Sequence, residues 1–439
     1  MKFYGREDEL RQLSQLEQKT KIQGVMTVLT GRRRVGKTEL AFQQVQGQKF
    51  IYLFVSKKAE FLLCQEYLAD IQRCFELPVI GEIRSFSDIF KLLLELGKTN
   101  RFTLIIDEFQ EFTSINPSIY SDIQKLWDIY KKQIHLHVIF IGSIYSLMRK
   151  IFRDKKEPLF GRADAIIHLQ GFSLNALSNL LKEYRIFDAK NWFDLYLLTG
   201  GMPKYVELLM DAGVQNLSDM LNVMLAKNSL FLEEGKYLLI EEFGKEYTIY
   251  FSILELIAQG KTARSEIGAI LEKDIGGYLQ RLEDDYTVIQ TYKPMTAKPQ
   301  SRLQRYTLID NFIKFWFYYF YANRAAIEME NFSYIKKIMN KTYANYSGRI
   351  LENFYHTLLA ETGLYNRIGR YWEKGNLNEI DLIAVNDLEK RMVVAEIKRN
   401  AKKINTTELK LRAEKLRPFF DGYTVEYLAL SLDNMEDWL

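Results

Sequence analysis

The 439-residue sequence contains only two cysteines, Cys64 and Cys74, and only seven prolines. Two cysteines cannot build a disulfide framework, and no zinc-ligand pair surrounds them, so we expect both to be small buried residues. The scarcity of proline predicts domains that are joined by helices or short loops rather than by rigid linkers.

Long hydrophobic runs are also missing. The most apolar stretch, residues 312–321, is interrupted by Lys314 and is far shorter than the roughly 18 residues that span a bilayer. The N-terminal MKFYGREDEL lacks the apolar core of a signal peptide. We therefore expect a soluble, cytoplasmic protein without membrane contact.

Charge and histidine patterns exclude little else. Sixty Lys and Arg against 56 Asp and Glu leave a net charge of +4, so only local clustering of basic residues could indicate a nucleic-acid partner. The histidines show no metal-ligand spacing, and packing or surface roles are expected for His135, His137, His168 and His356.

The first third of the chain alternates apolar segments with helix-forming ones. Strands are expected at 24–30, 50–56, within 102–112, at 135–143 and at 165–170, and helices at about 59–74, 85–97 and 119–132. Strands that alternate with helices predict an α/β fold with a parallel sheet covered on both faces.

A glycine-rich segment joins the first predicted strand to a helix. Residues 31–38, GRRRVGKT, match the phosphate-loop pattern GxxxxGK[ST] at every fixed position. Its glycines let backbone amides approach phosphate oxygens, Lys37 can reach the β- and γ-phosphates, and the Thr38 hydroxyl can ligate Mg²⁺. The predicted nucleotide-binding residues are Gly31, Arg32, Arg33, Arg34, Val35, Gly36, Lys37, Thr38 and Glu39. The three arginines occupy variable positions, where they could also be solvated or touch DNA or a partner.

Two acids follow the apolar segment LII. Asp107 would hold Mg²⁺ through water, and Glu108 would orient and activate the attacking water. Such a pair can also consist of ordinary solvated residues, but the phosphate loop upstream favours the catalytic interpretation. Glu108 indicates a hydrolase, since a binding-only switch would not need it.

These motifs resemble those of the archaeal ATPase family, P-loop ATPases of the additional-strand, catalytic-glutamate type that are close to the AAA+ and STAND groups. Residues 3–10, FYGREDEL, are similar to the family's FxGRExEL box, which implies that Gly5 and Arg6 lie near the adenine. Ser143 ends the fourth predicted strand at the position of the family's polar sensor. The resemblance implies ATP and Mg²⁺ as cofactors.

Two further motifs extend the resemblance. Arg162 is similar in position to the arginine that family members present to a γ-phosphate, in their own chain or in a neighbouring copy, although a surface role is the alternative. Residues 200–205, GGMPKY, resemble the motif of the helical lid over the nucleotide, and this implies that Pro203 belongs to the site.

The middle of the chain predicts a winged helix. Residues 248–260, 261–271 and 275–286 have helical patterns, and 288–294 with 296–310 predict a two-stranded wing. The expected nucleic-acid face holds Lys273, Tyr278, Arg281, Lys293, Lys298, Arg302 and Arg305. Docking of a protein is the alternative role. The aromatic segment 306–321 predicts a buried helix rather than a base-stacking surface.

The last ninety or so residues predict a second site. Segments 380–385 and 391–398 should pair as an antiparallel hairpin that places Asp381 beside Glu396, with Lys398 on the same face as Glu396. Two carboxylates and a lysine at one place could bind a divalent metal and activate water against a phosphodiester. A basic cluster follows, which could be a solvated helix face or a contact for a phosphate backbone: Lys398, Arg399, Lys402, Lys403, Lys410, Arg412, Lys415 and Arg417.

This pattern resembles the PD-(D/E)xK nuclease superfamily. The resemblance implies an α/β restriction-endonuclease-like domain, with Lys398 as a catalytic residue and Glu352, Asp381 and Glu396 as metal ligands. Ile380 stands where many members have proline. The domain could be an active nuclease or a retained fold without cleavage.

Together the motifs predict four segments: a P-loop ATPase core at 1–175, a helical lid at 176–238, a winged helix at 239–325 and a nuclease-like domain at 326–439. One hypothesis is an ATPase that couples its nucleotide state to the binding or processing of DNA. The alternative is a regulatory ATP switch that docks protein partners and whose nuclease fold is inert. A homo-oligomer is compatible with both.

Overall fold

The computed structural model of the chain describes residues 2–78, 81–244, 247–375 and 377–438. They divide into two compact units, Lys2–Gly171 and the part of the chain from Phe172 onward. This division lies four residues before the predicted end of the ATPase core at 175. The other predicted boundaries fall inside the second unit and stay predictions.

The first unit is an α/β layer structure. Its strands are β1 (Val25–Thr30), β2 (Phe50–Phe54), β3 (Phe102–Asp107), β4 (Leu136–Gly142) and β5 (Ala165–His168). Its helices are α1 (Glu7–Lys19), α2 (Lys37–Gln44), α3 (Glu60–Phe75), α4 (Phe86–Thr99), α5 (Phe112–Ile115), α6 (Ile119–Tyr130) and α7 (Tyr145–Arg153). The predicted alternation of strand and helix is confirmed.

The five strands form one sheet in the order β2-β3-β4-β1-β5, and all its pairings are parallel. Every residue of β1, β3 and β4 is buried, because helices cover both faces of a parallel sheet. This explains why these strands are continuous apolar runs rather than alternating ones. Strand β4 lies between β1 and β3, so the ends of these three strands meet at one edge.

Of the cysteines and histidines of this unit, Cys64 and His137 lie in the core. Cys64 is buried and Cys74 half-buried, and both are free thiols. His137 is fully buried in β4, where its Nε2 lies 2.8 Å from Thr27 Oγ1. Burial lowers the pKa of His137 to about 4, so the ring is neutral and serves packing.

The second unit begins with helices and ends with a mixed sheet. Its first helices are α8 (Leu174–Glu183), α9 (Ala189–Thr199), α10 (Pro203–Asp211), α11 (Leu217–Met224) and α12 (Leu230–Phe243). There follow α13 (Tyr247–Ala258), α14 (Arg264–Leu271), α15 (Gly276–Asp284) and the antiparallel pair β6 (Ile289–Tyr292) and β7 (Arg305–Leu308). Three helices and a hairpin therefore lie where the sequence predicted them.

The aromatic segment after β7 is buried, as predicted. Helix α16 (Asn311–Phe315) continues into a π-helical turn, Trp316–Phe320. In this stretch Phe312, Phe315 and Phe317 are fully buried. Helices α17 (Arg324–Glu328) and α18 (Phe332–Glu361) follow.

A four-stranded sheet closes the second unit, in the order β11-β10-β9-β8. Its strands are β8 (Arg367–Tyr371), β9 (Ile380–Asn386), β10 (Arg391–Ile397) and β11 (Thr424–Leu430), and α19 (Thr406–Ala413) packs on it. Strands β8, β9 and β10 pair antiparallel, whereas β11 runs parallel to β10. Within the described residues, no helix combines the length and the apolar character needed to cross a membrane.

Candidate functional site

The phosphate-loop sequence forms a tight connection between β1 and α2. Gly31 has φ +144°, and a Cβ there would lie 2.5 Å from the Leu169 carbonyl oxygen. Gly36 has φ +86° and precedes the first turn of α2. A side chain at Gly31 would clash, and one at Gly36 would strain the backbone. The loop therefore requires glycine at both positions that the pattern fixes.

Two buried cations hold the loop. Lys37 is 6% exposed, and its Nζ donates hydrogen bonds to the carbonyls of Gly31, at 2.8 Å, and Arg32, at 3.0 Å. Arg6 is equally buried and donates to the Val35 carbonyl at 3.2 Å. Arg6 also donates to the Gln170 carbonyl at 2.6 Å. Arg6 thus links the phosphate loop to the segment that follows β5. Its implied nearness to an adenine stays a prediction.

A hydroxyl and a carboxylate meet beside the loop. Thr38 Oγ1, in the first turn of α2, donates a hydrogen bond at 2.6 Å to Oδ2 of Asp107, the last residue of β3. Asp107 is 4% exposed. Tyr52, on β2, donates to the same Oδ2 at 3.1 Å. Burial and the Asp107 carboxylate raise the pKa of the Tyr52 hydroxyl above its usual value. Tyr52 was not predicted, because its contact with Asp107 depends on the pairing of β2 with β3.

Glu108 lies next to this pair and is oriented by two neighbours. Its backbone is left-handed, with φ +54°, which turns the chain sharply at the end of β3. Ser143 Oγ donates to Glu108 Oε2 at 2.6 Å, because β3 and β4 are adjacent and Ile106 pairs with Phe140. Gln110 donates to the same oxygen. The predicted catalytic Glu108 and the predicted polar sensor Ser143 are therefore in direct contact. Gln110 was not predicted, because no motif spacing marks its position.

These groups fit a nucleotide with a divalent cation. In P-loop enzymes Mg²⁺ keeps most of its water and takes one hydroxyl, a nearby carboxylate and phosphate oxygens. Thr38 and Asp107 provide the hydroxyl and the carboxylate, and Lys37 provides the cation that a phosphate chain requires. The donor set at this edge of the sheet suits phosphate transfer to water.

The remaining residues predicted for this site have other contacts. Arg162 forms an ion pair with Asp128 at 3.1 Å and donates to the Phe160 carbonyl at 2.9 Å. Among the described residues it makes no hydrogen bond to the phosphate loop, and its contact with a γ-phosphate stays a prediction. Glu39 lies in the first turn of α2, and Gly5 precedes α1 with φ +62°.

Pro203 lies in the second unit, where it is the first residue of α10. The preceding Gly201 has φ +74°, and a Cβ there would lie 2.5 Å from the Phe172 carbonyl oxygen. The predicted lid motif is thus a helix start that requires glycine. Its place over the nucleotide stays a prediction.

One of the basic residues of the predicted wing is turned inward. Arg305 pairs with Glu379 at 2.7 Å, and its guanidinium lies 4.3 Å from the centroid of the Trp372 ring. Its inclusion in a DNA-facing surface was wrong, since its charge is balanced and only 16% of its side chain is exposed. Lys293 donates to the Pro299 carbonyl at 2.7 Å, inside the hairpin connection.

The C-terminal hairpin has the predicted register. Leu382 pairs with Ala395, so Asp381 and Glu396 are the next residues along β9 and β10. Lys398 Nζ lies 3.1 Å from Asp381 Oδ2 and 3.4 Å from Glu396 Oε1. Arg412, on α19, pairs with the other oxygen of Glu396. Two acids and two cations therefore form a balanced network.

The third predicted acid pairs with a different cation. Glu352, on α18, pairs with Arg370 at 3.4 Å, and Arg370 also donates to Asn353 Oδ1 at 2.7 Å. Burial raises the pKa of Glu352 to about 7, and the nearby Asp381 carboxylate adds to this effect. His356 Nε2 lies 2.9 Å from the Asp381 carbonyl oxygen, and burial lowers its pKa to about 3.

The predicted metal site is not assembled. Among the described residues, no three His, Cys, Asp or Glu side chains come together in a way that could hold a metal ion. Each of Glu352, Asp381 and Glu396 is paired with a lysine or an arginine, and their role as a metal-ligand set stays a prediction. The predicted catalytic Lys398 is one of these cations.

The basic cluster separates into inner and outer residues. Arg399 donates to Ser347 Oγ at 2.5 Å, and Arg412 and Lys398 belong to the ion-pair network. Arg417 pairs with Glu414 at 3.0 Å, and Lys410 lies 5.6 Å from the Tyr427 ring centroid. The residues that remain, Lys402, Lys403 and Lys415, are exposed.

Comparisons with known proteins agree with the geometry of the phosphate-loop site. The profile of an ATPase domain predominantly from Archaea matches residues 3–209, and a profile of archaeal and bacterial proteins of unknown function matches residues 316–410. The chain is 30% identical over 410 residues to an uncharacterized protein of Methanocaldococcus jannaschii, with 90% of this chain and 87% of that protein covered. The fold is similar to that of a Walker-type ATPase of Pyrococcus abyssi, with a TM-score of 0.54 and 19% identity, over 72% of this chain and 96% of that chain.

Proposed function

Because this chain belongs to a family of proteins with an ATPase domain that occurs predominantly in Archaea, we propose that it hydrolyses ATP with Mg²⁺ and couples this to DNA binding. One observation carries the hydrolase part. Thr38 contacts Asp107 at 2.6 Å and Ser143 contacts Glu108 at 2.6 Å, at the same edge of the sheet. A cation ligand pair and an oriented general base thus lie side by side.

Each residue has a separate task in this reaction. The loop amides and Lys37 bind the β- and γ-phosphates, and Lys37 exchanges its present carbonyl partners for phosphate oxygens. Thr38, and Asp107 through water, would hold Mg²⁺, which would neutralise charge on the phosphates. Glu108 accepts a proton from the attacking water. Ser143 keeps the Glu108 carboxylate in place.

Arg162 would contribute only after a rearrangement. Its ion pair with Asp128 has to open before the guanidinium can approach a phosphate, in this chain or in a second copy. A positioned arginine is worth about 10³–10⁵ in rate where it is supplied from outside. We therefore propose slow basal turnover that a second copy or a partner accelerates.

DNA is the partner that the second unit favours. Helices α13 to α15 with the hairpin β6–β7 have the order of a winged helix. Its exposed basic residues include Lys273, Lys298 and Arg302, and Lys402, Lys403 and Lys415 lie further along the same unit. Lysines of this kind contact phosphates without reading sequence.

A second function is favoured by the C-terminal ion pairs. Asp381 and Glu396 are neutralised by Lys398 and Arg412, as expected of a nuclease-like fold that has become structural. In that case the protein is a nucleotide-dependent switch that docks a protein partner. The two proposals differ in whether DNA changes ATP turnover.

The test is steady-state ATP hydrolysis by the wild type, Lys37→Ala and Glu108→Gln, with Lys21→Ala and Glu82→Gln as exposed controls. We expect Glu108→Gln to retain ATP binding and to lose about 10²–10⁴-fold in kcat, and Lys37→Ala to lose turnover and affinity. Unchanged kcat in Glu108→Gln would contradict the assigned base.

Each assay is repeated with duplex, single-stranded and branched DNA. A rise in kcat with DNA supports the proposed coupling. Turnover that depends on Lys37 but ignores every DNA supports the protein-docking switch. Metal-dependent cleavage of the DNA would show that the ion pairs of Asp381 and Glu396 open. It would contradict the proposal that the nuclease-like fold is inert.

A further inference from the structure

A cavity of about 590 Å³ lies inside the second unit, between the helix–hairpin segment and helix α18 with strand β8. Its volume is within the range of roughly 300–1,000 Å³ that is typical of small-ligand sites. Ile257 and Ile350 provide apolar wall, and Tyr292 provides an aromatic one. The charged side chains among its lining decide what it can hold.

Most of these charges are already balanced. Arg305 pairs with Glu379 at 2.7 Å, and Arg370 pairs with Glu352 at 3.4 Å. Glu266 pairs with Lys261 at 2.7 Å. These pairs leave two cations, which are Lys314 and Arg349.

Lys314 is the decisive residue. It lies on α16, lines the cavity and is only 8% exposed, yet its ammonium makes no hydrogen bond or ion pair with any residue that the structure describes. Burial, together with the positive charges of Arg370 and Arg349, lowers its pKa to about 8, and the Asp310 and Glu352 carboxylates offset only part of that shift. A buried ammonium without a partner is costly, and an anion in the cavity would offset that cost.

Arg349 adds donors at the same wall. It is exposed on α18, and the described chain provides it with one hydrogen bond, from its guanidinium to the Gln259 carbonyl at 3.3 Å. A guanidinium has five N–H donors, so most of them remain for a ligand. Lys314 feels the charge of Arg349, which places the two cations close together.

We propose that this cavity binds a phosphate monoester, whose dianionic phosphate accepts hydrogen bonds from Lys314 and Arg349 while its organic part packs on Ile257, Ile350 and Tyr292. A phosphate monoester carries close to two negative charges and three strong acceptor oxygens, which matches the two unbalanced cations. A carboxylate would leave one of them uncompensated. The ligand is a free nucleoside monophosphate or the phosphorylated end of a nucleic-acid strand, since both present this group.

The site is distinct from the phosphate loop, which lies in the first unit. It shares only Glu352 with the predicted metal set, and Glu352 stays paired with Arg370. The inference therefore goes beyond the proposed ATPase, and a result on one does not decide the other.

The test is equilibrium dialysis of labelled thymidine 5′-monophosphate and of inorganic phosphate against the full-length protein. The variants are Lys314→Met, which keeps side-chain length without charge, and Arg349→Gln. Lys341→Met, an exposed lysine on α18, is the matched control. All variants have the same phosphate loop. Any binding of the probe to that loop is therefore the same in every variant and does not affect the difference between them.

We expect the Kd of the thymidine probe to rise at least about tenfold in Lys314→Met and several-fold in Arg349→Gln, as the loss of a charge-assisted hydrogen bond predicts. The control should match the wild type. ATP turnover should be unchanged in all three variants, which separates failure here from failure of the proposed ATPase. If Lys314→Met does not fold, the exposed Arg349→Gln decides.

Two oligonucleotides that differ only in a 5′-phosphate identify the source. Tighter binding of the phosphorylated strand than of the mononucleotide supports a strand end, and the reverse order supports a free nucleotide. The proposal is overturned if the wild type shows no saturable binding of any of these probes. It is also overturned if Lys314→Met and Arg349→Gln both bind like the control.

Discussion

Asp194 is a buried acid that the ATPase chemistry does not use. It lies on α9 and is 1% exposed, and one of its oxygens accepts a hydrogen bond from the Tyr343 hydroxyl. Its other oxygen has no partner among the described residues. Burial raises its pKa to about 6, and the Tyr343 hydrogen bond offsets only part of that shift. Folding therefore favours the protonated acid.

This shift gives a stability prediction with a definite sign. When the pKa of a carboxyl is higher in the folded state, the unfolding free energy of the protein falls as pH rises from the unfolded-state pKa, about 4, to the folded-state pKa, about 6. Above that pH the loss is complete. Asn carries no charge and keeps an acceptor for Tyr343. Between pH 4 and pH 7.5, Asp194→Asn should therefore gain about 2–3 kcal/mol in unfolding free energy relative to the wild type, measured by urea denaturation.

Asp387→Asn is a control of opposite sign. Hydrogen bonds from Arg367, Asn366 and Tyr423 lower the pKa of Asp387, so its stabilisation is present above about pH 4 and is lost as pH falls. Asp387→Asn should be less stable than the wild type at neutral pH, with a deficit that shrinks in acid. An Asp194→Asn profile parallel to the wild type would show that Asp194 is ionised at no cost.

Single residues were predictable from sequence where a backbone rule fixes their place. Lys37, Thr38 and Glu108 follow from the spacing of a loop and a strand end. Tyr52 and Gln110 touch the same acids, yet their contacts depend on side-chain directions that no spacing reports. The partner of Arg162 was likewise not predictable, because the acid it pairs with, Asp128, lies on the separate helix α6.

Two glycines inside helices differ in the space around them. Gly348 lies within α18, and a Cβ there would meet no atom within 4 Å. Gly235 lies within α12, and a Cβ there would lie 2.3 Å from the Trp316 ring. Trp316 cannot easily withdraw, since its Nε1 donates to the Leu232 carbonyl at 2.8 Å.

The same substitution should therefore act with opposite signs. Gly348→Ala should stabilise the protein by about 0.5–1 kcal/mol, because alanine loses less backbone entropy in a helix. Gly235→Ala should destabilise it by about 1–3 kcal/mol through overpacking. Melting temperatures measured side by side check both, and a rise for Gly235→Ala would contradict the close packing of α12 on Trp316.

At the scale of elements, register was easier to predict than electrostatics. The period of two and a five-residue turn sufficed to align Asp381 with Glu396. They did not reveal that Arg412, on the helix α19 that packs on the sheet, would neutralise Glu396. The same two acids can belong to a metal site or to a structural ion-pair network. Only the folded structure shows that Arg412 lies beside Glu396.

For the whole molecule, net charge conceals a local asymmetry. The chain has a formal charge of only +4, and several residues of the basic C-terminal cluster are engaged internally. Lys402, Lys403 and Lys415 remain exposed. The proposed contact with DNA therefore depends on a few lysines rather than on overall charge.

Salt dependence tests this contact directly. If each of these three lysines releases counterions from DNA, the slope of log K against log salt should fall in magnitude by about 0.9 per lysine. The variant Lys402→Gln, Lys403→Gln, Lys415→Gln should thus bind duplex DNA more weakly, with a slope smaller by roughly 2–3, and should keep its basal ATP turnover.

The matched control removes the same charge from the first unit, through exposed Lys132→Gln, Lys155→Gln and Lys156→Gln. Fluorescence anisotropy of a labelled duplex between low and physiological salt measures both variants. Because long-range attraction depends on total charge whereas counterion release depends on contact, only the C-terminal variant should change the slope. Equal slopes in the two variants would show that these lysines do not touch DNA, and would favour a protein partner for the second unit.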